Sequence, residues 1–446
     1  MTDGTAVVIG ASLAGLVAAR ALSDTFAEVV LVDRDALPAR VENRRGVPQG
    51  KHLHGLLARG LQSLEELFPG FADEMVAAGA LRGDLQSDLH WYVDGYQLKP
   101  VSSGLIGIAS SRPLLESTVR ARVERLPGVK VLDNHDVLSL LTGQRKVTGV
   151  VMRSRVDGAE PVEVEADLVV DASGRGSRTP IWLAEMGYAP PEETKMAVDT
   201  TYVTRAYEPK PGRPYGVLGV TVAAFPGSPR SGFLLKQENN RYVLTTGGVY
   251  GLRPPTDDAG LLEFAKALPT RAFTEFLSTA TRVGEPVTMR YPASSRRYYE
   301  KLTEFPDGYL VVGDAVCSFN PVYGQGMTVA MAEGEILRDL LKDGRHELAR
   351  RFFAEAAKLV ETAWSVSSGG DLRFPESGTK LPPQARLLNH YLHRVYRVAA
   401  GDTTVATAFL RVINLIDSPD KMLAPAVFRR VFRRLPRASP AADRRA

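Results

Sequence analysis

The tightest constraint on this chain lies at its start. Thr5 to Ile9 is apolar from Ala6 onward and runs into Gly10-Ala11-Ser12-Leu13-Ala14-Gly15; an alanine- and leucine-rich stretch then reaches Ser23, and Glu28 to Val32 is a second apolar run. Short continuous apolar runs read as strands buried on both faces, and the stretch between them predicts a tight β–α–β unit. Gly10 permits a sharp turn out of the strand, and Gly15 lets helix and strand approach closely. The start of that helix offers unpaired N–H groups and the positive end of its dipole, which suits a pyrophosphate. Asp33 ends the second strand 18 residues after Gly15 (33 − 15), near the spacing of about 20 expected of a ribose-binding carboxylate. Where such turns carry a middle glycine, this chain has Ser12.

Two later segments repeat the passage from strand to glycine turn. Tyr309 to Val312 delivers Gly313-Asp314-Ala315 at a strand's carboxyl end, where α/β sheets bind ligands, and Pro321-Val322-Tyr323-Gly324-Gln325-Gly326-Met327 then opens a helix predicted from about Met327 to Leu341. Asp314 suits the hydroxyls of a sugar or ribityl chain. The N–H groups at the helix start suit a developing anion. An aspartate at a strand end is otherwise often a helix cap, but the twin glycines and the proline argue for a site. The third segment is Ala166 to Ser177, in which the strand Leu168 to Val170 precedes Asp171-Ala172-Ser173-Gly174-Arg175-Gly176.

With 446 residues, 44% hydrophobic and 24% charged, the chain has globular composition and length for two or three domain-sized units. The α/β pattern occupies 1–85, 105–187 and 292–345. A hairpin at 86–104 turns at Asp94-Gly95. Strand-like runs separated by Pro and Gly turns fill 188–291 and predict an inserted antiparallel sheet, while 346–446 reads as helical. A net charge of +4 with scattered arginines does not indicate nucleic acid, and the arginine-rich end, Arg429-Arg430 through Arg444-Arg445, reads as a solvated helix end and tail. One cysteine, Cys317, allows no intrachain disulfide and suits a small buried hydrophobe. The apolar stretch Ala6 to Ala19 is too short for a bilayer and no positively charged segment precedes it, so neither a membrane span nor a signal peptide is expected, and the expected location is cytoplasmic.

Three such segments in this order resemble FAD-dependent monooxygenases of the aromatic-hydroxylase fold, over most of the chain. The resemblance implies a Rossmann-like FAD-binding α/β domain with an inserted antiparallel substrate sheet and a helical C-terminal region. It implies cofactor contacts from Gly10, Ser12, Leu13, Ala14, Gly15, Asp33 and Arg34 in the first segment. Asp314, Pro321, Gly324, Gln325, Gly326 and Met327 follow from the second. Arg112, in Ser111-Arg112-Pro113-Leu114-Leu115, looks like the family's helix arginine, and Arg45 falls in the loop that passes the isoalloxazine. Asp33-Arg34-Asp35, Arg45-Gly46-Val47-Pro48-Gln49, Lys51-His52-Leu53-His54 and Asn320-Pro321-Val322-Tyr323-Gly324 are similar to bacterial polyether epoxidases of the lasalocid and monensin type.

That likeness implies insertion of one oxygen atom from O2, through a flavin C4a-hydroperoxide, into a polyketide or other small hydrophobic natural product. The family's usual Asp-Gly in the third segment is Ser173-Gly174 here, which leaves NADPH or a separate flavin reductase as electron source. The same departure is compatible with a cyclase of the [4+2] type in which FAD is structural. The halogenase signature Trp-x-Trp-x-Ile-Pro is absent, the tryptophans being Trp91, Trp182 and Trp364.

The chemistry belongs to the cofactor, so no catalytic acid or base is assigned. His52 and His54 share a face only in an extended segment and have no carboxylate or cysteine nearby to complete a metal site; packing or loop hydrogen bonding is expected of them. Trp91, Tyr92, Tyr202 and Phe233 are candidates to line a substrate cavity, although on strands half of them should face the core. Arg296-Arg297 and Tyr298-Tyr299 suit either a solvated loop or the steering of an anionic partner. Oligomeric state is left open.

Overall fold

The structure, a computed structural model, describes residues 3–212, 215–375, 378 and 382–433. The arginine-rich tail from 434 onward lies outside the described residues.

A five-stranded parallel sheet runs in the order Tyr309–Val311, Leu168–Asp171, Thr5–Ile9, Glu28–Val32, Val129–Leu132. Its strands are short; in four of them the inner residues are almost wholly buried, as the unbroken apolar runs require, while the edge strand Val129–Leu132 is half-buried. Ile9 pairs with both Val32 and Asp171, and Asp171 pairs with Val311. Four strands therefore end level at one edge of the sheet, and the three glycine turns leave it side by side. The Leu13–Leu22 helix crosses the Gly326–Lys342 helix closely enough that a methyl group on Gly334 would lie 2.8 Å from Val17 Cβ.

A second sheet of eight strands runs in the order Cys317–Ser318, Ala280–Arg297, Glu193–Pro209, Arg241–Gly248, Arg230–Gln237, Gly219–Val222, Leu89–Val93, Tyr96–Gln97. Pairing is antiparallel except between Gly219–Val222 and Leu89–Val93. The 86–104 hairpin thus joins this sheet, turning through Asp94 and Gly95 at φ 50° and 79°. Two features were not expected of 188–291. The helices Asp258–Lys266 and Ala272–Thr279 cover one sheet face with Phe264, Leu268, Phe273 and Phe276, and the strand Ala280–Arg297 continues past position 291. Gly55–Leu56 is a short strand, and a helix follows from Ala58 to Leu67.

The C-terminal helices Leu348–Asp371, Pro383–Ala399, Thr403–Ile413 and Pro425–Phe432 follow. Tyr391, Val395, Val405 and Leu410 from these helices form a core with Leu85, Tyr96 and Leu98 of the hairpin region. Lys99 N–H donates to the Ala399 carbonyl, and Ala58 N–H to Asn414 Oδ1.

Candidate cofactor and substrate site

Backbone crowding brings the three turns together. A methyl group on Gly15 would sit 1.7 Å from the Gly10 carbonyl oxygen, one on Gly10 2.7 Å from that of Ala172, and one on Gly313 2.7 Å from Ala14 Cβ. Gly10 and Gly313 also adopt φ of 102° and 66°, which only glycine takes without strain. A side chain on Gly326 would begin 3.9 Å from Asp314 Oδ1, and one on Gly174 4.0 Å from Asp314 Cβ. Asp314 therefore stands where all three segments meet. Burial pushes its carboxyl up, against the pull of Arg112 and Arg175.

Ser12 is the extended N-cap of the first helix, but its hydroxyl does not cap. Instead Ser12 Oγ accepts from Arg112 Nη2 at 2.8 Å and donates to Glu116 Oε2 at 3.4 Å. Leu13 points into the core, and Ala14 packs beneath Gly313, so both serve the site through the helix start. Arg112 donates to Glu116 through Nε and Nη2 at 3.1 and 3.0 Å. Arg44 Nε reaches the other Glu116 oxygen at 2.7 Å, and its Nη1 spans Asp33 and Asp35 at 3.2 and 3.0 Å. Burial favours a neutral Glu116, but Arg112 and Arg44 outweigh it and hold the carboxyl below its ordinary range. Burial lowers Arg112 in turn.

Asp33 is buried and heavily committed. Its Oδ2 accepts from Ala11 N–H at 2.7 Å, its Oδ1 from Asp35 N–H at 2.8 Å, and Arg44 Nη1 touches both oxygens. A ribose hydroxyl would share this carboxylate with Arg44. Arg34 and Arg45 both carry exposed side chains, so the loop guanidinium that enters the site is that of Arg44. Arg44 and Glu116 were missed in the sequence. The signal for Glu116 was its position four residues after Arg112 on one helix.

In the second segment Gly324 takes φ 67° and, like Pro321, is exposed, while Met327 is half-buried. Gln325 is buried with Nε2 on the Ile413 carbonyl at 3.3 Å, so its side chain serves the C-terminal helices and only its backbone belongs to the helix start. Asn320 is fully buried. It donates to Asp371 Oδ1 and Oδ2 at 3.1 and 3.3 Å and accepts from Tyr202 OH at 3.1 Å. Tyr323 OH donates to Asp371 Oδ1 at 3.0 Å. Burial pushes Asp371 up to about 7 despite these donors. Glu333 lies behind Gly313, accepting its N–H at 2.6 Å, and burial pushes its carboxyl up to about 8.

The third turn is self-contained. Asp171 accepts from Ser173 N–H, Ser177 Oγ and Thr179 Oγ1, leaving Ser173 and Arg175 exposed. Arg296 is no solvated loop residue: it is buried near the end of the Ala280–Arg297 strand and paired with Glu300 and Glu361. Cys317 is buried, which pushes its thiol well up.

Register sorts the aromatic candidates. Trp91 pairs with Thr221, Thr221 with Phe233, Phe233 with Thr245, and Thr245 with Thr204, so these five share one sheet face. Tyr202 lies two residues from Thr204 on the same face. That face meets the cofactor-side loops: Tyr202 bonds Asn320, and His52 Nδ1 lies 2.7 Å from Thr204 Oγ1. Tyr92 is on the opposite face, in the core beneath the two helices. Burial together with Lys51 pulls His52 down to about 4; burial together with Arg112 does the same for His54, so both imidazoles are neutral near pH 7. His54 Nδ1 meets the His52 carbonyl at 3.0 Å.

These residues fit FAD. The glycine turns form a cradle that any Cβ would fill, Asp314 is a buried acceptor at its centre, and Arg44 Nη2 is a buried donor with no hydrogen-bond partner among the described residues, free to serve an anionic group.

Comparison with known proteins agrees with this geometry. The "FAD binding domain" family matches residues 3–343. Protein Rv3254 of Mycobacterium tuberculosis is 37% identical over 435 residues, spanning 93% of this chain and 90% of its own length. Two solved structures share the fold. The flavin-dependent brominase Bmp2, as a triple mutant, superposes with a TM-score of 0.66 at 15% identity, covering 96% of this chain and 98% of its own. The p-nitrophenol 4-monooxygenase PnpA of Pseudomonas putida DLL-E4 gives 0.64 at 14% identity, covering 94% and 99%. With the family matched over residues 3–343, about three quarters of its length, the chain belongs to the FAD binding domain family.

Proposed function

We propose that the protein is an FAD-dependent monooxygenase that transfers one oxygen atom of O2 to a small hydrophobic natural product, by epoxidation or hydroxylation. One observation carries the reading. The sheet face that presents Trp91, Phe233 and Tyr202 is turned toward the Asn320–Gly326 turn and joined to it by the Tyr202–Asn320 bond. An apolar wall thus stands against the edge where the cofactor's reactive end belongs.

Reduced FAD, when bound, supplies the oxygen activation. The chain's own residues hold and orient. Asp314 would accept from cofactor hydroxyls at the junction of the three turns, and Arg44 and Arg112 would supply positive charge to its phosphates. The N–H groups at the start of the Gly326–Lys342 helix would stabilise negative charge on the reduced cofactor. Trp91 and Phe233 exclude water from the substrate side, while Thr204, Thr245 and neutral His52 offer hydrogen bonds that orient a largely apolar substrate. Similarity of the loop motifs to polyether epoxidases supports a polyketide-like substrate.

The electron donor is tested by anaerobic mixing of the FAD-loaded protein with NADPH and with NADH, following flavin absorbance. Rapid bleaching supports direct reduction. Bleaching by dithionite alone points to a separate reductase. Product mass then separates the reactions: one added oxygen supports the monooxygenase, and a product isomeric with its substrate replaces it with the cyclase reading.

A further inference from the structure

The positive charge of the chain is gathered at one end. Residues 383–446 hold twelve basic and four acidic side chains, which leaves 43 basic and 47 acidic in the rest, since the whole chain has 55 and 51. The body is therefore slightly acidic and the C-terminal part strongly basic.

The same region exposes the largest apolar side chains. Phe428 and Phe432 on the Pro425–Phe432 helix are 46% and 51% exposed, and no other phenylalanine is among the exposed large hydrophobics of the described residues. Their rings lie 4.6 Å apart and stack on Tyr391 at 6.0 and 6.1 Å. Leu387 and Leu388 lie four and three residues before Tyr391 on its helix and are 72% and 50% exposed. Leu423, also exposed, follows Met422, whose carbonyl accepts from Tyr391 OH. These six residues form one continuous corner. Arg386, Lys421, Arg429 and Arg433 are exposed around it, and so is Arg430, whose Nη1 also pairs with Asp402 at 2.9 Å.

We propose that this corner docks on the surface of an anionic lipid bilayer, with the aromatic and leucine side chains entering the interface and the basic residues engaging the headgroups. Amphipathic helices with Phe and Leu on one face and Arg on the other bind membranes in this way, and each basic residue near an anionic leaflet strengthens the contact. Charge decides between the occupants. A second copy would meet the corner through the same patch in a two-fold contact and set these basic residues against themselves. The chain's own segment 434–446 is equally basic and carries only Leu435 as a large apolar residue. The contact is peripheral, since no helix among the described residues is long and apolar enough to cross a membrane. It departs from the expectation of no membrane contact and stands without the proposed reaction.

The test is co-sedimentation of the full chain with phosphatidylcholine vesicles, with and without phosphatidylglycerol, at low and high salt. Binding to the phosphatidylglycerol vesicles that weakens with salt is expected. Phe428→Ser with Phe432→Ser, Leu387→Ser with Leu388→Ser, and Arg429→Gln with Arg433→Gln should each weaken it about tenfold or more. The leucine pair, being largely exposed, leaves the fold intact, and an unchanged melting curve checks this for all three. No binding, binding that ignores all three variants, or a dimer in light scattering that the same variants dissolve overturns the proposal.

Discussion

Arg44 and Arg45 are neighbours in one loop, yet one side chain is enclosed by carboxylates and the other is exposed, and the difference is energetic. Arg44 sits among Asp33, Asp35 and Glu116, each largely shielded from water, whereas Arg45 is exposed. Arg44→Ala leaves buried carboxylates unbalanced and is expected to cost about 3–5 kcal/mol and to weaken FAD binding. Arg45→Ala should stay within about 0.5 kcal/mol. Chemical denaturation and FAD titration of both variants check this. Asp371 and Glu333 set a pH dependence. Burial raises both carboxyls, to about 7 and about 8, so the folded chain holds their protons more tightly than the unfolded one does. Their contribution is complete below about pH 4 and is lost as pH rises toward 7 to 8, by up to about 1.4 kcal/mol per pH unit for each group. The melting temperature of the FAD-free protein should therefore fall across that range, and Asp371→Asn should flatten the profile near pH 7. Neither group was legible in sequence: a carboxylate's burial depends on what packs over it, and Asp371 is covered by a loop some 50 residues earlier in the chain.

Among the elements, the parallel strands were legible because both faces are buried and their sequences are unbroken apolar runs ended by glycine. The long strand Ala280–Arg297 was not, since its residues are mostly half-buried or exposed without a clear apolar run, and pairing with Glu193–Pro209 along most of its length fixes it. The helices over the second sheet were hidden by their setting among strands and Pro- and Gly-rich turns. Strand period could state that half the aromatics face the core, yet only register could say which. Tyr92 and Phe233 make the test. Tyr92→Ala should destabilise by about 3–5 kcal/mol through the cavity it leaves, with substrate selectivity unchanged. Phe233→Ala, half-buried on the cofactor-facing side, should cost less stability and shift KM for the substrate, measured beside thermal unfolding.

Across the whole molecule the C-terminal helices act as a strap. They hold the Asn320–Gln325 turn through Asp371 and the Ile413 carbonyl, and the hairpin through the 2.5 Å pair of Arg373 with Asp94. A chain ending at residue 345 is expected to lose FAD on gel filtration while the intact protein keeps it, because Asn320 and Gln325 would face water. The family and its cofactor were readable from three local turns; the strap was not, since each of its contacts joins residues far apart in sequence. The strand order carries a further consequence, for synthesis on the ribosome. The first strand finds its inner neighbour only when Leu168–Asp171 emerges, and the sheet gains its last strand with Tyr309–Val311. Asn414 meets Ala58 across 356 positions. At about 5–20 residues per second, the nascent chain spends on the order of tens of seconds with its glycine turns formed singly and its apolar strands uncovered. The complete cradle for FAD therefore exists only once Tyr309–Met327 has emerged, so cofactor binding comes late in synthesis or after it.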